Sequence, residues 1–202
     1  MHILTATFAA LILAVAPASA ADVTAFTAES VAAIAIGLGG TNVESKGSLT
    51  VFDLNGQKYV FSRELCQKDD PSKCIGLLMA SGFKTTPQDT VEVFNDFNKS
   101  IGFVTAVKLD NNTMAFGRFV VALGGITADN VKANFGLFSA APELYNEFVK
   151  PQVVSSIGTG GQVLLAQPTA APAKLQPVAL TAEQVAAMTS DALAAKARAL
   201  LK

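Results

Sequence analysis

The phenylalanines of this chain show where its hydrophobic core must lie. One of the thirteen, Phe8, is close to the amino terminus, and the other twelve fall between Phe26 and Phe148. No aromatic residue of any kind follows Phe148. Because aromatic side chains bury the largest apolar areas, this distribution predicts one core-forming domain that ends near residue 150.

The most regular part of that domain runs from Thr113 to Phe148. β-Branched and aromatic residues from Thr113 to Val121 predict a strand, which Gly124 and Gly125 end. Thr127 is suited to be the N-cap of a following helix, with Asp129 in its first turn. The apolar residues of this helix recur at helical spacing: Val131, Phe135 and Phe138.

Two helices are predicted upstream, each from a capping residue and an apolar stripe. Thr27 begins the first helix, whose stripe is Val31, Ile34 and Leu38. Thr86 begins the second helix, with Pro87 and Asp89 in its first turn. The stripe of this second helix is Val93, Phe97 and Ile101.

Strands are predicted between and after these helices. Their ranges are 42–44, 49–54, 58–65, 75–83 and 103–109. Asn55-Gly56 is the clearest turn signal, because both residues accept a positive φ between two strands. The sequence therefore predicts an α+β fold, an antiparallel sheet with packed helices in the order α-β-β-β-β-α-β-β-α.

The string Gly124-Gly125-Ile126-Thr127, followed by Asn130, Asn134 and Phe138 and by a closing Phe148, resembles the C-terminal half of the YbjN-domain family. The resemblance covers about residues 24 to 150. It implies a fold like that of the type III secretion chaperones, which dimerise. Members of the family are described as candidate bacterial sensory-transduction regulators without agreed catalytic residues, so the resemblance implies interaction or regulation.

The first twenty residues have the pattern of an export signal. Residues 8–15 form an apolar run, and Ala18-Ser19-Ala20 supplies the small-x-small sequence that precedes cleavage at Ala21. The run is too short to act as a stable bilayer anchor. We therefore expect residues 1–20 to be a signal peptide and the mature protein to be periplasmic or secreted.

Cys66 and Cys74 are the only cysteines, and they flank a polar turn at residues 67–73. Two cysteines on either side of a hairpin in an exported protein are expected to form a disulfide. The alternative is a free pair that binds metal or exchanges disulfides. The absence of a Cys-x-x-Cys motif and of a nearby third ligand favours the structural disulfide.

The composition excludes several classes of site. His2, the only histidine, lies in the predicted signal, which leaves no histidine for Ser-His-Asp or Cys-His catalysis or for the usual zinc sites. With 15 basic and 16 acidic residues and no basic cluster, nucleic-acid binding is not expected. No cofactor-binding motif is present. Turns, helix starts or strand faces explain the acidic residues that an enzyme could use: Asp53, Glu64, Asp89 and Asp110.

The character of the chain changes after Lys150. Prolines scattered through an Ala-, Gln-, Gly- and Thr-rich stretch predict a flexible linker over residues 151–180. The capping-box sequence Thr181-Ala182-Glu183-Gln184 then predicts an amphipathic helix over residues 181–202. On its apolar side lie the residues expected to bind a partner: Val185, Met188 and Leu193.

These features favour a non-catalytic periplasmic interaction or chaperone-like module, whose partner is another protein or a second copy in a homodimer. An enzyme of unknown class is one alternative. The other is an envelope protein that acts at a membrane surface through its C-terminal helix. Membrane contact is not expected, because the apolar side of that helix is mostly alanine. We also expect residues beyond about Pro151 to add little burial to the fold.

Overall fold

The computed structural model describes residues 22–110, 112–150 and 175–189. These residues form nine strands: β1 (Asp22–Val23), β2 (Thr41–Lys46), β3 (Leu49–Leu54), β4 (Gln57–Cys66), β5 (Cys74–Lys84), β6 (Thr105–Lys108), β7 (Thr113–Val121), β8 (Ile126–Thr127) and β9 (Pro177–Val178). They also form five helices: α1 (Ala28–Gly37), α2 (Val91–Ser100), α3 (Ala128–Ser139), α4 (Ala141–Phe148) and α5 (Ala182–Thr189).

Six strands form one antiparallel sheet in the order β2-β3-β4-β5-β7-β6. The first four are neighbours both along the chain and in space. The chain then passes through α2 to the edge strand β6, and β7 lies between β6 and β5. Short β9 pairs with β5, and β1 pairs separately with β8. The predicted α+β class and the predicted order of the main elements are confirmed.

The aromatic core lies on one face of this sheet, here called the inner face. Alternate strand residues point into it, among them Phe52, Phe61 and Phe116, each with 0% exposure. Helices α1 to α4 cover this face and contribute further fully buried side chains: Val31, Phe97, Phe138 and Tyr145. The phenylalanine-rich part of the sequence is thus the core of the fold.

Local signals placed α1 and α3 correctly. Thr27 accepts a hydrogen bond from the backbone N–H of Ser30 at 3.1 Å, and Thr127 accepts one from that of Asn130 at 3.1 Å. The predicted stripe of α3 is buried: Val131, Phe135 and Phe138. Each helix begins where its side-chain cap satisfies a backbone donor that has no partner within the helix.

The predicted hairpin at Asn55-Gly56 is also confirmed. Asn55 has a φ of 52° and Gly56 a φ of 77°, so both residues adopt the left-handed conformation that a tight turn between twisted strands requires. Beyond the turn, Leu54 lies opposite Gln57 and the pairing continues to Leu49 opposite Ser62. The turn therefore fixes the register of β3 and β4.

Helix α2 begins four residues later than predicted. Its N-cap is Thr90, whose hydroxyl accepts from the N–H of Val93 at 3.4 Å. Thr86 instead forms a separate turn, in which the Asp89 carboxylate accepts from the Thr86 N–H at 2.6 Å and from its hydroxyl at 2.9 Å. Both threonines are suited to be caps. The Asp89 carboxylate in the turn also accepts a hydrogen bond from a distant residue, Tyr145, which no local sequence signal indicates.

The structure confirms the predicted disulfide between Cys66 and Cys74. The two residues are paired across β4 and β5, with their Cα atoms 3.7 Å apart. Cys74 is fully buried, and its carbonyl accepts a hydrogen bond from the N–H of Phe26 at 2.6 Å. The disulfide therefore closes the end of the sheet to which the start of α1 is attached.

The predicted linker is wrong for its last six residues, 175–180. Pro177 and Val178 form β9, and Leu175 belongs to the inner core with 9% exposure. The described part of the tail contributes two buried apolar side chains, Leu175 and Val185, and the expectation that the tail adds little burial stays a prediction. The predicted signal peptide at residues 1–20, residues 151–174 of the linker and Leu193 lie outside the described residues.

The raised pKa values of the two tyrosines indicate how the stability of the fold responds to alkaline pH. Burial raises the pKa of Tyr59, and burial together with the hydrogen bond to Asp89 raises the pKa of Tyr145. Unfolded tyrosine loses its proton near its ordinary value of about 10, whereas the folded chain keeps it. The free energy of unfolding should therefore be unaffected below about pH 10 and fall as the pH rises above it.

Tyrosinate absorbance measured beside circular dichroism during an alkaline titration checks this expectation. The absorbance should rise together with unfolding rather than before it. Reversible ionisation of both tyrosines near pH 10 in a chain that stays folded would show that neither hydroxyl is held as described.

Candidate functional site

The opposite face of the sheet, the outer face, has a small apolar cluster of its own. Val60 on β4 and Leu78 on β5 are 2% and 1% exposed, and Val185 of α5 is 1% exposed against them. Around this centre lie partly buried apolar residues: Leu49, Val51, Phe119, Leu180 and Met188. The chain thus covers the middle of its outer face with its own tail.

We define the docking segment as residues 175–189, and its first contact is a strand contact. Strand β4 pairs with β5 only as far as Tyr59 opposite Ser81, whereas β5 continues to Lys84. The backbone edge left free is taken by β9, with Val178 opposite Gly82. The N–H of Lys84 also donates to the carbonyl of Gln176 at 2.9 Å. Unequal strand lengths therefore create the first half of the binding surface.

Two glycines make room for the apolar side chains of the docking segment. A Cβ atom at Gly82 would lie 2.6 Å from Cδ2 of Leu180 and 3.0 Å from the carbonyl oxygen of Val178. A Cβ atom at Gly117 would lie 2.8 Å from Cε of Met188. We define the outer groove as the surface formed by Val60, Leu78, Gly82 and Gly117. Its shape depends on residues without side chains.

A capping box satisfies backbone donors at the start of helix α5. The N–H of Thr181 donates to the side chain of Gln184 at 2.9 Å, and the N–H of Gln184 donates to the Thr181 hydroxyl at 3.2 Å. This is the predicted capping box. Leu180 before the cap and Val185 in the first turn occupy the positions of a hydrophobic staple and belong to the same outer cluster.

A polar contact fixes the other side of α5. Nε2 of Gln184 donates to Oδ2 of Asp110 at 2.6 Å, in the turn between β6 and β7. A hydrogen bond from the backbone N–H of Asn112 is the main cause that lowers the pKa of Asp110, and Gln184 adds to it. Asp110 is therefore a charged acceptor that helps to orient the helix.

Two of the three predicted partner-binding residues lie in the part of the chain that the structure describes. Val185 and Met188 both lie against the outer face of their own sheet, and Leu193 is outside the described residues. Gly82, Gly117 and Leu180 complete the surface and were not predicted. Of these, Leu180 could have been found, because a leucine directly before a capping box followed by Val185 is the staple pattern.

The acidic residues considered for catalysis all have structural partners. Asp53 accepts from Nζ of Lys58 at 2.7 Å, and that contact, followed by one from Asn42, lowers the pKa of Asp53. Glu64 accepts from the hydroxyl of Ser62 at 2.5 Å. Asp89 accepts from Tyr145 and Thr86, and Asp110 from Gln184.

Neither a metal site nor a membrane span is found in the part of the chain that the structure describes. That part contains no group of three or more His, Cys, Asp or Glu residues placed to hold a metal ion. None of its helices is long and apolar enough to cross a membrane.

Replacing Gly82 with Ala is expected to displace the docking segment. The new Cβ atom would collide with Leu180 and with the Val178 backbone, which cannot move without breaking the strand pairing. We expect the free energy of unfolding to fall by about 1–3 kcal/mol in urea titrations. The Lys84 N–H should also lose its protection from hydrogen exchange.

The matched control is Gly102→Ala, since nothing lies within 4 Å of a Cβ atom placed there. This variant should stay within about 0.5 kcal/mol of the unmodified chain. A Gly82→Ala chain that is equally stable and keeps the Lys84 N–H protected would contradict the tight fit of the groove.

Comparisons with known proteins find similar structures at low sequence identity. No family model matches the sequence, and no curated protein matches it. The structure is similar to that of YbjN from E. coli, which is described as a candidate transcription regulator. The two chains are 12% identical, the similarity covers 60% of this chain and 91% of that chain, and the TM-score is 0.43. An uncharacterised protein from Methanothermobacter thermautotrophicus is similar at 11% identity, 59% and 94% coverage and a TM-score of 0.41.

Proposed function

We propose that this chain is a non-catalytic interaction module of the periplasm that binds an extended-then-helical peptide segment in its outer groove. The docking segment is the intramolecular ligand of that groove, and a partner replaces it. Two established modes of peptide recognition are combined in one surface. A strand is added to a free sheet edge at β5, and an amphipathic helix lies in an apolar groove.

The observation that carries this proposal is the continuity of the docking segment. All its groove contacts come from fifteen consecutive residues, 175–189, separated from the end of α4 by residues 149–174. The same contacts could therefore be made by an equivalent segment that belongs to another chain. Only a few side chains are buried while fifteen residues are ordered, so the net docking free energy should be small, roughly 1–4 kcal/mol.

The partner is another protein or a second copy of this chain. A second copy could supply the same segment and form a homodimer by exchange of tails. The periplasmic location is supported by the export pattern of residues 1–20 and by the disulfide, which persists in oxidising compartments. The non-catalytic role is supported by the structural partners found for Asp53, Glu64, Asp89 and Asp110.

Val185→Asp in the full chain tests the proposal. A carboxylate at this fully buried position cannot be solvated in the docked state, so the tail should leave the groove and expose it. The probe is a fluorescent synthetic peptide with the sequence of residues 175–189. We expect it to bind the Val185→Asp chain at least about tenfold more tightly than the unmodified chain, whose own segment competes at high effective concentration.

Ala187→Asp is the control, because it adds the same charge at an exposed position of the same helix. It should behave like the unmodified chain. If the Val185→Asp chain remains folded and fails to bind the peptide, the outer groove is not a separable binding surface. If the peptide does bind, sedimentation of the unmodified chain at increasing concentration distinguishes a second copy from another protein as the natural source of the segment.

A further inference from the structure

The side-chain amide of Gln184 is used at both of its ends. Its Oε1 accepts a hydrogen bond from the backbone N–H of Thr181 at 2.9 Å, and its Nε2 donates one to Oδ2 of Asp110 at 2.6 Å. The first bond belongs to the capping box of α5. The second joins α5 to the turn between β6 and β7. Gln184 therefore links the start of the helix to the surface on which the helix docks.

Asp110 is a charged acceptor without a cation of its own. Its Oδ1 accepts from the backbone N–H of Asn112 at 3.0 Å, and this bond is the main cause that lowers the pKa of Asp110, so the carboxylate is ionised at neutral pH. No Lys or Arg of the described residues forms an ion pair with it. Its Oδ2 is therefore a negative acceptor that a donor on the docked helix satisfies.

The apolar contacts on either side of Gln184 fix where its amide lies. Leu180, four residues earlier, lies over Gly82, and Met188, four residues later, reaches Gly117. Val185 between them is 1% exposed. A docked helix that slid or turned to move position 184 away from Asp110 would lose these contacts. The side chain at position 184 therefore has to meet the Asp110 carboxylate.

This meeting distinguishes two residues that a capping box by itself does not distinguish. Either Gln or Glu at this position of a capping box can accept from the N–H of the N-cap residue. In the docked helix, Glu would keep the bond to Thr181 and place a second carboxylate beside Oδ2 of Asp110, where it has no proton to donate. Two carboxylates at this distance repel each other. Because Asp110 is exposed, salt should weaken the repulsion.

We propose that the outer groove selects segments in which a leucine directly precedes a Ser/Thr-x-x-Gln capping box, and that Asp110 rejects segments with Glu in place of Gln184. This inference rests on the proposed function, because it names the class of segment that can replace the docking segment. The glycines of the groove supply the attractive surface, and Asp110 supplies the repulsive element on which specificity depends. Asp110 is thus a specificity-determining residue.

The test compares fluorescent peptides of residues 175–189 on the Val185→Asp chain, whose own tail has left the groove. A peptide with Gln184→Glu should bind roughly threefold to tenfold more weakly than the unmodified peptide at low ionic strength. Adding Asp110→Asn to the chain should reduce this difference to less than about twofold, because the carboxamide does not repel the glutamate. Raising the salt concentration should also narrow the difference.

The control peptide carries Ala186→Glu, which adds the same charge at an exposed position two residues further along the helix. Two residues correspond to a rotation of about 200°, so this glutamate lies on the other side of α5 from Asp110. It should bind within about twofold of the unmodified peptide. Equal binding of the Gln184→Glu and unmodified peptides would overturn the proposal, as would a difference that persists in the Asp110→Asn chain.

Hydrogen exchange within one chain separates this inference from the proposed function. Gln184→Glu in the full chain should speed exchange of the Lys84 N–H, which donates to Gln176, by roughly threefold to tenfold. Asp110→Asn should remove most of that effect. If no peptide binds in trans, the proposed function fails, and the exchange rates still decide whether Asp110 discriminates. If the unmodified peptide binds and neither measurement distinguishes Glu from Gln, the proposed function stands and this inference is wrong.

Discussion

Replacing Phe116 with Ala is expected to lower the free energy of unfolding by about 3–5 kcal/mol, measured by urea titration. Phe116 is fully buried in the middle of β7. Its ring centroid lies 5.5 Å from that of Phe83, 6.0 Å from that of Phe97 and 5.6 Å from that of Tyr145. Truncation therefore leaves a cavity that separates the sheet from both α2 and α4.

Leu137→Ala provides the comparison for this prediction. Leu137 is 47% exposed on α3, so the same kind of truncation removes little buried area there. We expect the stability of this variant to change by no more than about 1 kcal/mol. Similar losses in the two variants would contradict the placement of the core on the inner face.

Replacing Asp89 with Ala should lower the free energy of unfolding by about 2–5 kcal/mol, because the buried Tyr145 hydroxyl and the partly buried Thr86 N–H lose their acceptor. The Asp89 carboxylate is 4% exposed and accepts from the Tyr145 hydroxyl at 2.7 Å and from the Thr86 N–H at 2.6 Å. It thereby joins the turn before α2 to the middle of α4. Urea titration gives the loss, and loss of structure in α4 should accompany it.

Asp96→Ala is the matched control, since Asp96 pairs with Lys99 on the exposed side of α2. That variant should stay within about 0.5 kcal/mol of the unmodified chain. Combining Asp89→Ala with Tyr145→Phe should recover part of the loss, because the orphaned hydroxyl is then absent. Additive losses would mean that the two side chains do not interact.

The parts of the fold that the sequence predicted depend on signals within a few residues. Thr27 and Thr127 cap helices whose stripes follow directly, and Asn55-Gly56 is the turn between adjacent strands. The disulfide could be predicted because Cys66 and Cys74 flank one short turn. In each case the decisive interaction is made by residues that are neighbours in sequence.

The parts that could not be predicted depend on distant contacts. Asp89, which the sequence predicted in the first turn of α2, instead accepts a hydrogen bond from Tyr145, 56 residues away. Strand β9 exists because β5 extends beyond β4, a difference in strand length that Pro177 and Val178 do not reveal. Gly82 and Gly117 become part of a groove only when the docking segment lies over them.

Native-state hydrogen exchange tests the central claim most directly, which is that the docking segment leaves the groove while the sheet stays folded. The reporters are the N–H groups of Lys84 and Val185, which donate to Gln176 and to Thr181. Their opening free energies should be roughly 1–4 kcal/mol, well below those of Phe61 and Met79 in the central strands. If all four groups exchange with the same free energy as global unfolding, the docking segment is an integral part of the fold and cannot be replaced by a partner.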